Sequence, residues 1–360
     1  EKLFKWNEKA KQKKAILQSI TTDNFMNLMT IKFMGFEKLA IDRLKKAQED
    51  ALPYTNPKKK FAYYRLIDIT NGGVFIASLW MCRQSLAMIG MIVVSSYTVQ
   101  NISSALSDLT DMISEIKAQE KIINSIDGKD NNKLPYFVGS MSLKDVEFGY
   151  NDEMKFTIEE NIKIDNGKRY LITGESGEGK SSLLNLIAGL LKPTKGEVNR
   201  YDVFYISQNI TCLNDTLWRN LVGNNEYNIS EQEILDLLNE VNLLEWFNNK
   251  LTDGFNTYLG ERGCKLSFGQ IQRINIIRAV LAMRYTPQKI FLLDEITSNL
   301  DDKSKEAVIS LIDRECHSTC IIVAHDSSEY AKIIDESEID TKTVQVGNTV
   351  KLWDEEFDEE

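Results

Sequence analysis

Histidine is nearly absent: His317 and His325 are the only two in 360 residues. That excludes a histidine-rich metal centre. The five cysteines are scattered and lack the spacing of a small secreted domain, so a reducing compartment fits better than a disulfide framework. Charge is missing from one segment, because Arg83 is the only charged residue between Ile69 and Ser107. The lysine-rich residues 1–14 have no apolar run behind them, so no signal peptide opens the chain.

What is present is ample. Hydrophobic residues make up 42% and charged residues 27%, which excludes a disordered or collagen-like chain. The length predicts about two domains. The net charge of −10 conceals a split. Residues 1–70 hold 15 Lys and Arg against 8 acids, a net of +7, and the remainder carries −17. An acidic majority argues against nucleic acid as a partner.

Residues 1–50 predict helix, with no proline, one glycine (Gly35) and apolar residues at helical spacing: Ile31, Met34, Leu39, Ile41 and Leu44. Pro53 and Pro57 end the pattern. The low-charge stretch predicts two membrane spans joined at Arg83-Gln84, since one span needs about 20 apolar residues. Ser95, Ser96, Thr98 and Gln100 give the second span a polar side that should line protein or water. A buried helical hairpin in a soluble protein is the competing reading. From Met141 strands and helices alternate, the pattern of an α/β domain. The expected boundaries are 1–125 for the helical part, 126–140 for a linker, 141–345 for the α/β domain and 346–360 for an acidic tail.

Gly174-Glu175-Ser176-Gly177-Glu178-Gly179-Lys180-Ser181 lies between a short strand and an apolar helix that starts at Ser182. This is the G-x-x-x-x-G-K-S phosphate loop in its strand–loop–helix context. Its glycines let backbone N–H groups turn toward phosphate oxygens. Lys180 should reach the β- and γ-phosphates, and the Ser181 hydroxyl should ligate Mg²⁺. The apolar run Ile290–Leu293 reads as a buried strand delivering Asp294 to the Mg²⁺ site and Glu295 as general base. Cys316-His317-Ser318-Thr319-Cys320 has metal-type residues but no second pair, so it reads as structural.

Leu266-Ser267-Phe268-Gly269-Gln270 resembles the signature of ATP-binding cassette (ABC) proteins. Gln208 is similar to that family's Q-loop glutamine, Ser298–Asp301 to its D-loop and His325 to its switch histidine. Tyr150 is similar to the aromatic that stacks on adenine. Tyr258–Gly263 and residues 1–125 resemble the exporter subclass. The resemblance implies a P-loop NTPase nucleotide-binding domain with a helical subdomain, preceded by a partial all-α membrane domain. The cytosolic extension of membrane helix 4 would occupy 1–50, a coupling helix the Pro53–Pro57 region, and membrane helices 5 and 6 residues 61–82 and 85–117. Four earlier membrane helices would precede Glu1.

The resemblance also implies the chemistry. ATP and Mg²⁺ are the expected cofactors. Glu295, His325 and Gln208 are the expected catalytic group. Tyr150, Gly174–Ser182, Asp294, Ser267, Gly269 and Gln270 are expected on the nucleotide, with the signature residues acting on a second copy's ATP. Ser181, Gln208 and Asp294 are the expected Mg²⁺ ligands. The implied partners are a second half-transporter, alike or different, the lipid bilayer, and an exported peptide, lipid or drug. The implied location is the plasma membrane, multi-pass, with the nucleotide domain cytosolic. A soluble ABC ATPase and a regulatory cassette of little turnover are the alternatives. Phe268 departs from the usual glycine, and the stretch from Lys180 to Gln208 is shorter than usual.

Overall fold

The structure is a computed structural model that describes residues 2–54, 137, 139–150, 153–158, 162–175, 177–208, 211–287, 289–324, 341–345 and 351–353. It divides into two compact units, one of Glu1–Met26 with Ala40–Lys129 and one of Asn27–Leu39 with Asp130–Glu360. The expected membrane spans at 61–82 and 85–117 and the expected switch histidine His325 lie outside the described residues. Among the described residues no helix is long and apolar enough to cross a membrane.

The expected continuous helix over 1–50 is interrupted. Helix α1 covers Lys2–Met26, α2 Leu28–Phe33 and α3 Glu37–Ala51. The break follows from Gly35, which takes φ +72°. Phe36 N–H then donates back to the Ile31 carbonyl at 2.9 Å, the long bond of a Schellman helix end. The helical stretch is therefore broken at 27–36 and ends, as expected, at Ala51, where a short 3-10 turn over Leu52–Tyr54 follows. In the first unit, Arg43 pairs with Asp23 at 3.1 Å, both buried. Asn24 Nδ2 donates to the Ala40 carbonyl at 3.2 Å.

The second unit holds two sheets. In the first, β1 (Ser140–Tyr150) pairs antiparallel with β2 (Glu153–Ile158), β3 (Ile162–Asp165) and, later in the chain, β5 (Lys195–Val198). The second comprises β4 (Arg169–Thr173), β6 (Val203–Ile206), β7 (Ile290–Asp294), β8 (Cys320–Val323), β9 (Thr341–Gln345) and β10 (Lys351–Trp353). Its spatial order is β10-β9-β4-β8-β7-β6, parallel from β9 to β6. Strand β10 falls inside 346–360, expected as an acidic tail, and its antiparallel pairing with β9 carries the sheet on to Trp353.

Between β4 and β5 runs α4 (Lys180–Ile187). A helical stretch follows β6: α5 (Leu217–Val222), α6 (Glu231–Glu240), α7 (Leu244–Lys250) and α8 (Phe268–Tyr285). Ser230 caps α6, accepting from Glu233 N–H at 3.2 Å. Between α6 and α7 the helical stretch breaks, and Asn242 there takes φ +56°. Helix α9 (Asp302–Glu315) leads into β8.

The core lies under this sheet. Ile290, Phe291, Leu292 and Leu293 of β7 are all fully buried, as are Ile172 and Tyr170 of β4. A strand apolar on both faces suits the middle of a parallel sheet. Leu292→Ala is expected to destabilise the second unit by about 2–5 kcal/mol, read in urea denaturation. A change under about 0.5 kcal/mol would remove β7 from the core.

Candidate active site

Ligands of open α/β sheets bind beyond the carboxyl ends of the strands. Here β4 and β7 end on either side of β8, so the phosphate-type loop and the acidic pair emerge close together. Gly174, Gly177 and Gly179 all have positive φ, at +147°, +88° and +106°. The lysine that follows is 6% exposed, and its Nζ donates to the carbonyls of Gly174 at 2.8 Å and Glu175 at 2.9 Å. Inside the same loop, Glu175 N–H donates to Glu178 Oε2 at 2.6 Å. The loop backbone thus already holds one oxyanion, in keeping with a cradle for phosphate oxygens.

Asp294 is 2% exposed at the end of β7. Burial pushes its pKa up to about 6, further raised by Glu295 and held back by hydrogen bonds from the Ser181 and Tyr205 hydroxyls and the charge of Lys180. Its Oδ1 is buried without a hydrogen-bond partner. An orphaned carboxylate oxygen beside a hydroxyl is a hard oxygen donor set, which fits Mg²⁺. Burial, with Asp294 beside it, raises the Tyr205 pKa as well.

Glu295 follows at φ +50°. Its Oε2 accepts from Gln208 Nε2 at 3.0 Å, so the structure brings these two predicted catalytic residues together. Tyr150 ends β1, but its side chain, like Ser176 and His325, is outside what is described. Ser182 is buried on α4.

Ser267 caps α8, and its pairing with Gln270 forms a complete capping box: Gln270 N–H donates to Ser267 Oγ at 3.3 Å, and Ser267 N–H to Gln270 Oε1 at 2.9 Å. That S-x-x-Q spacing is the local reason the signature opens a helix. Phe268 is 46% exposed at the first helical position. The helix start runs along the loop after β7. A Cβ at Gly269 would sit 3.4 Å from the Asn299 carbonyl, and Arg273 Nη2 donates to Asp301 Oδ2 at 3.0 Å. Cys316 and Cys320 are buried whereas His317 is exposed. Among the described residues no three potential ligands cluster as a metal site.

A family profile described as "ABC transporter" matches residues 159–298, from before the phosphate loop to the start of the D-loop. Residues 159–298 belong to the ABC transporter family. Such a domain binds ATP. ABC transporter B family member 15 of Arabidopsis thaliana is 30% identical over 358 residues, covering 88% of this chain and 28% of that protein. Heavy metal tolerance factor 1 of Caenorhabditis elegans is 26% identical over 355 residues, covering 88% and 43%. The chain thus spans less than half the length of either relative. A bacterial Atm1-family ABC exporter solved with ATP bound shares the fold, with a TM-score of 0.50 and 22% identity over 97% of this chain and 65% of that one.

Sequence reasoning missed three residues in this ABC site: Tyr205, Gln272 and Arg273. Tyr205 carries a usable signal, being the one polar side chain on the wholly buried β6; Gln272 does not stand out in the same way, because α8 also buries Asn275 and Arg278. Because the Asp294 pKa is raised above its ordinary 3.8, the bound proton favours folding below that value, and this contribution is lost as pH rises through about 6. Between pH 4 and pH 7 the wild type should therefore lose about 1–3 kcal/mol relative to Asp294→Asn, seen as diverging thermal midpoints. Parallel midpoints would show that Asp294 is not desolvated.

Proposed function

We propose that the chain is an ATP-hydrolysing ABC exporter subunit that works as a dimer with a second half-transporter, in a membrane, to move an unidentified cargo. The supporting observation is the convergence of Ser181, Lys180, Tyr205 and Glu295 on the buried Asp294 carboxylate. The exporter assignment is supported by the family profile, by the B family relative and by the shared exporter fold. The membrane part would lie in residues 61–117, with the nucleotide unit in the cytosol at the plasma membrane.

Lys180 would exchange its two carbonyl acceptors for the β- and γ-phosphates of ATP. Asp294 and Ser181, joined by Gln208, would hold Mg²⁺, which when bound neutralises phosphate charge. Glu295 would accept the proton of the attacking water. The Gln208 amide, 3.0 Å from Glu295 Oε2, keeps that carboxylate aimed and reports on what occupies the site. Tyr150 and His325 complete the reading at the adenine and γ-phosphate. Ser267, Gly269 and Gln270 would contact the ATP held by the partner copy, where the α8 N-terminus favours negative charge.

Coupling to the membrane part is supported at 27–39. That segment groups with the nucleotide unit. Phe33 packs edge-on against Tyr205 with ring centroids 5.8 Å apart. Phe36 lies under the Arg278 guanidinium at 5.1 Å. Tyr205 in turn acts on the titration of Asp294, so a push on α2 has a two-residue path to the proposed Mg²⁺ ligand.

Two substitutions test the reading. Lys180→Ala should abolish ATP binding measured by fluorescent nucleotide titration, and unchanged affinity would reject the phosphate loop assignment. Glu295→Gln should keep ATP binding, lower turnover by about 10²–10⁴-fold and trap an ATP-bound dimer on sizing chromatography. A variant that hydrolyses at the wild-type rate would reject Glu295 as the base.

A further inference from the structure

Glu295 occupies the left-handed region at φ +50°. For a non-glycine residue that conformation is unfavourable and persists only where the surroundings impose it. Three backbone contacts do so. Glu295 N–H donates to the Val323 carbonyl of β8 at 3.1 Å. Its carbonyl accepts from Ser298 N–H at 3.2 Å and from Gln272 Nε2 at 3.3 Å. The same Gln272 amide reaches the Ile296 carbonyl at 2.5 Å. It therefore holds two consecutive peptides, and these set the direction in which the Glu295 carboxylate leaves the backbone.

Gln272 is 2% exposed and sits two residues after Gln270 on α8. Its Oε1 is buried with no hydrogen-bond partner. A buried acceptor left unmade costs free energy, so an apolar side chain of similar shape should be tolerated for folding. The amide is anchored through its donor side alone, on the two carbonyls.

We infer that Gln272 is the positioning residue for Glu295, tying the start of the signature helix to the backbone of the base within one subunit. The inference rests on the proposed function, in which Glu295 is the base and the α8 start meets the partner's ATP. Its consequence is directional. Whatever moves Ser267–Gln270 moves Gln272, and through it the aim of Glu295 at the other ATP of the dimer.

The test is steady-state ATP hydrolysis by the full chain purified in detergent, comparing wild type, Glu295→Gln, Gln272→Met and Gln272→Glu. Gln272→Met should lower kcat about 10- to 100-fold, as a misplaced catalytic group does, with KM for ATP and the thermal midpoint nearly unchanged. Gln272→Glu keeps the side-chain volume but turns a charged acceptor toward two carbonyls. Its activity relative to wild type should be lowest at high pH and recover as pH falls, because a protonated carboxyl can donate. Wild-type turnover by Glu295→Gln would overturn the functional reading and this inference with it. With Glu295→Gln inactive, a fully active Gln272→Met, a change in KM alone, or a Gln272→Glu ratio flat in pH would each overturn the inference alone.

Discussion

A carboxylate buried at the end of an apolar strand is the constraint around which the second unit is organised. Leaving Asp294 in an apolar environment is costly unless polar partners surround it. The sheet order supplies them: β4 and β6 end to either side of β7, delivering Ser181 and Lys180 from one and the Tyr205 hydroxyl from the other. One oxygen is still left over. The fold thus concentrates unmet polar capacity at a single point.

The second theme is how a helical segment far away in sequence reaches that point. Residues 27–39 bury Ile31, Phe33, Met34 and Phe36. Asn27 and Thr30 meet Thr211, whose hydroxyl donates to Asn27 Oδ1 at 2.6 Å and lies 3.1 Å from Thr30 Oγ1. Against the Phe36 ring, Arg278 is fully buried and held by neutral oxygens: the Asn220 carbonyl, Asn220 Oδ1 at 2.6 Å, Asn275 Oδ1 at 2.6 Å and the Thr211 carbonyl at 3.3 Å. Burial lowers its pKa. A guanidinium in this setting needs its planar fork, which lysine does not have.

The motifs were legible because their chemistry demands fixed residue types at fixed spacing. The phosphate loop, Asp294-Glu295 and the Ser267–Gln270 cap fall on the strand ends and the helix start expected of them. The break at 27–36 was not read, although its sign was visible: one glycine in an otherwise unbroken helical stretch marks a helix end. Asn242 hid its turn in the same way, since asparagine tolerates positive φ without the plain signature of glycine. Strand β10 was concealed by the acids that follow it. Gln272 escaped because it is one of several polar residues on α8 that are buried, and its meaning appears only when the loop after β7, far along the chain, is placed beside it.

The position of β4 has a consequence for how the molecule is made. Its neighbours are β8 and β9, so Tyr170 pairs with Ile321 on one side and Lys342 on the other. Contacts of such sequence separation form late and slowly. A ribosome that has just passed Asp301 has produced the phosphate loop, the signature and the acidic pair, but not the two strands between which the loop's own strand must lie. The motif that appears early in synthesis is therefore among the last to be seated, and until about forty further residues emerge the nascent chain holds every one of these motifs without a place to assemble them.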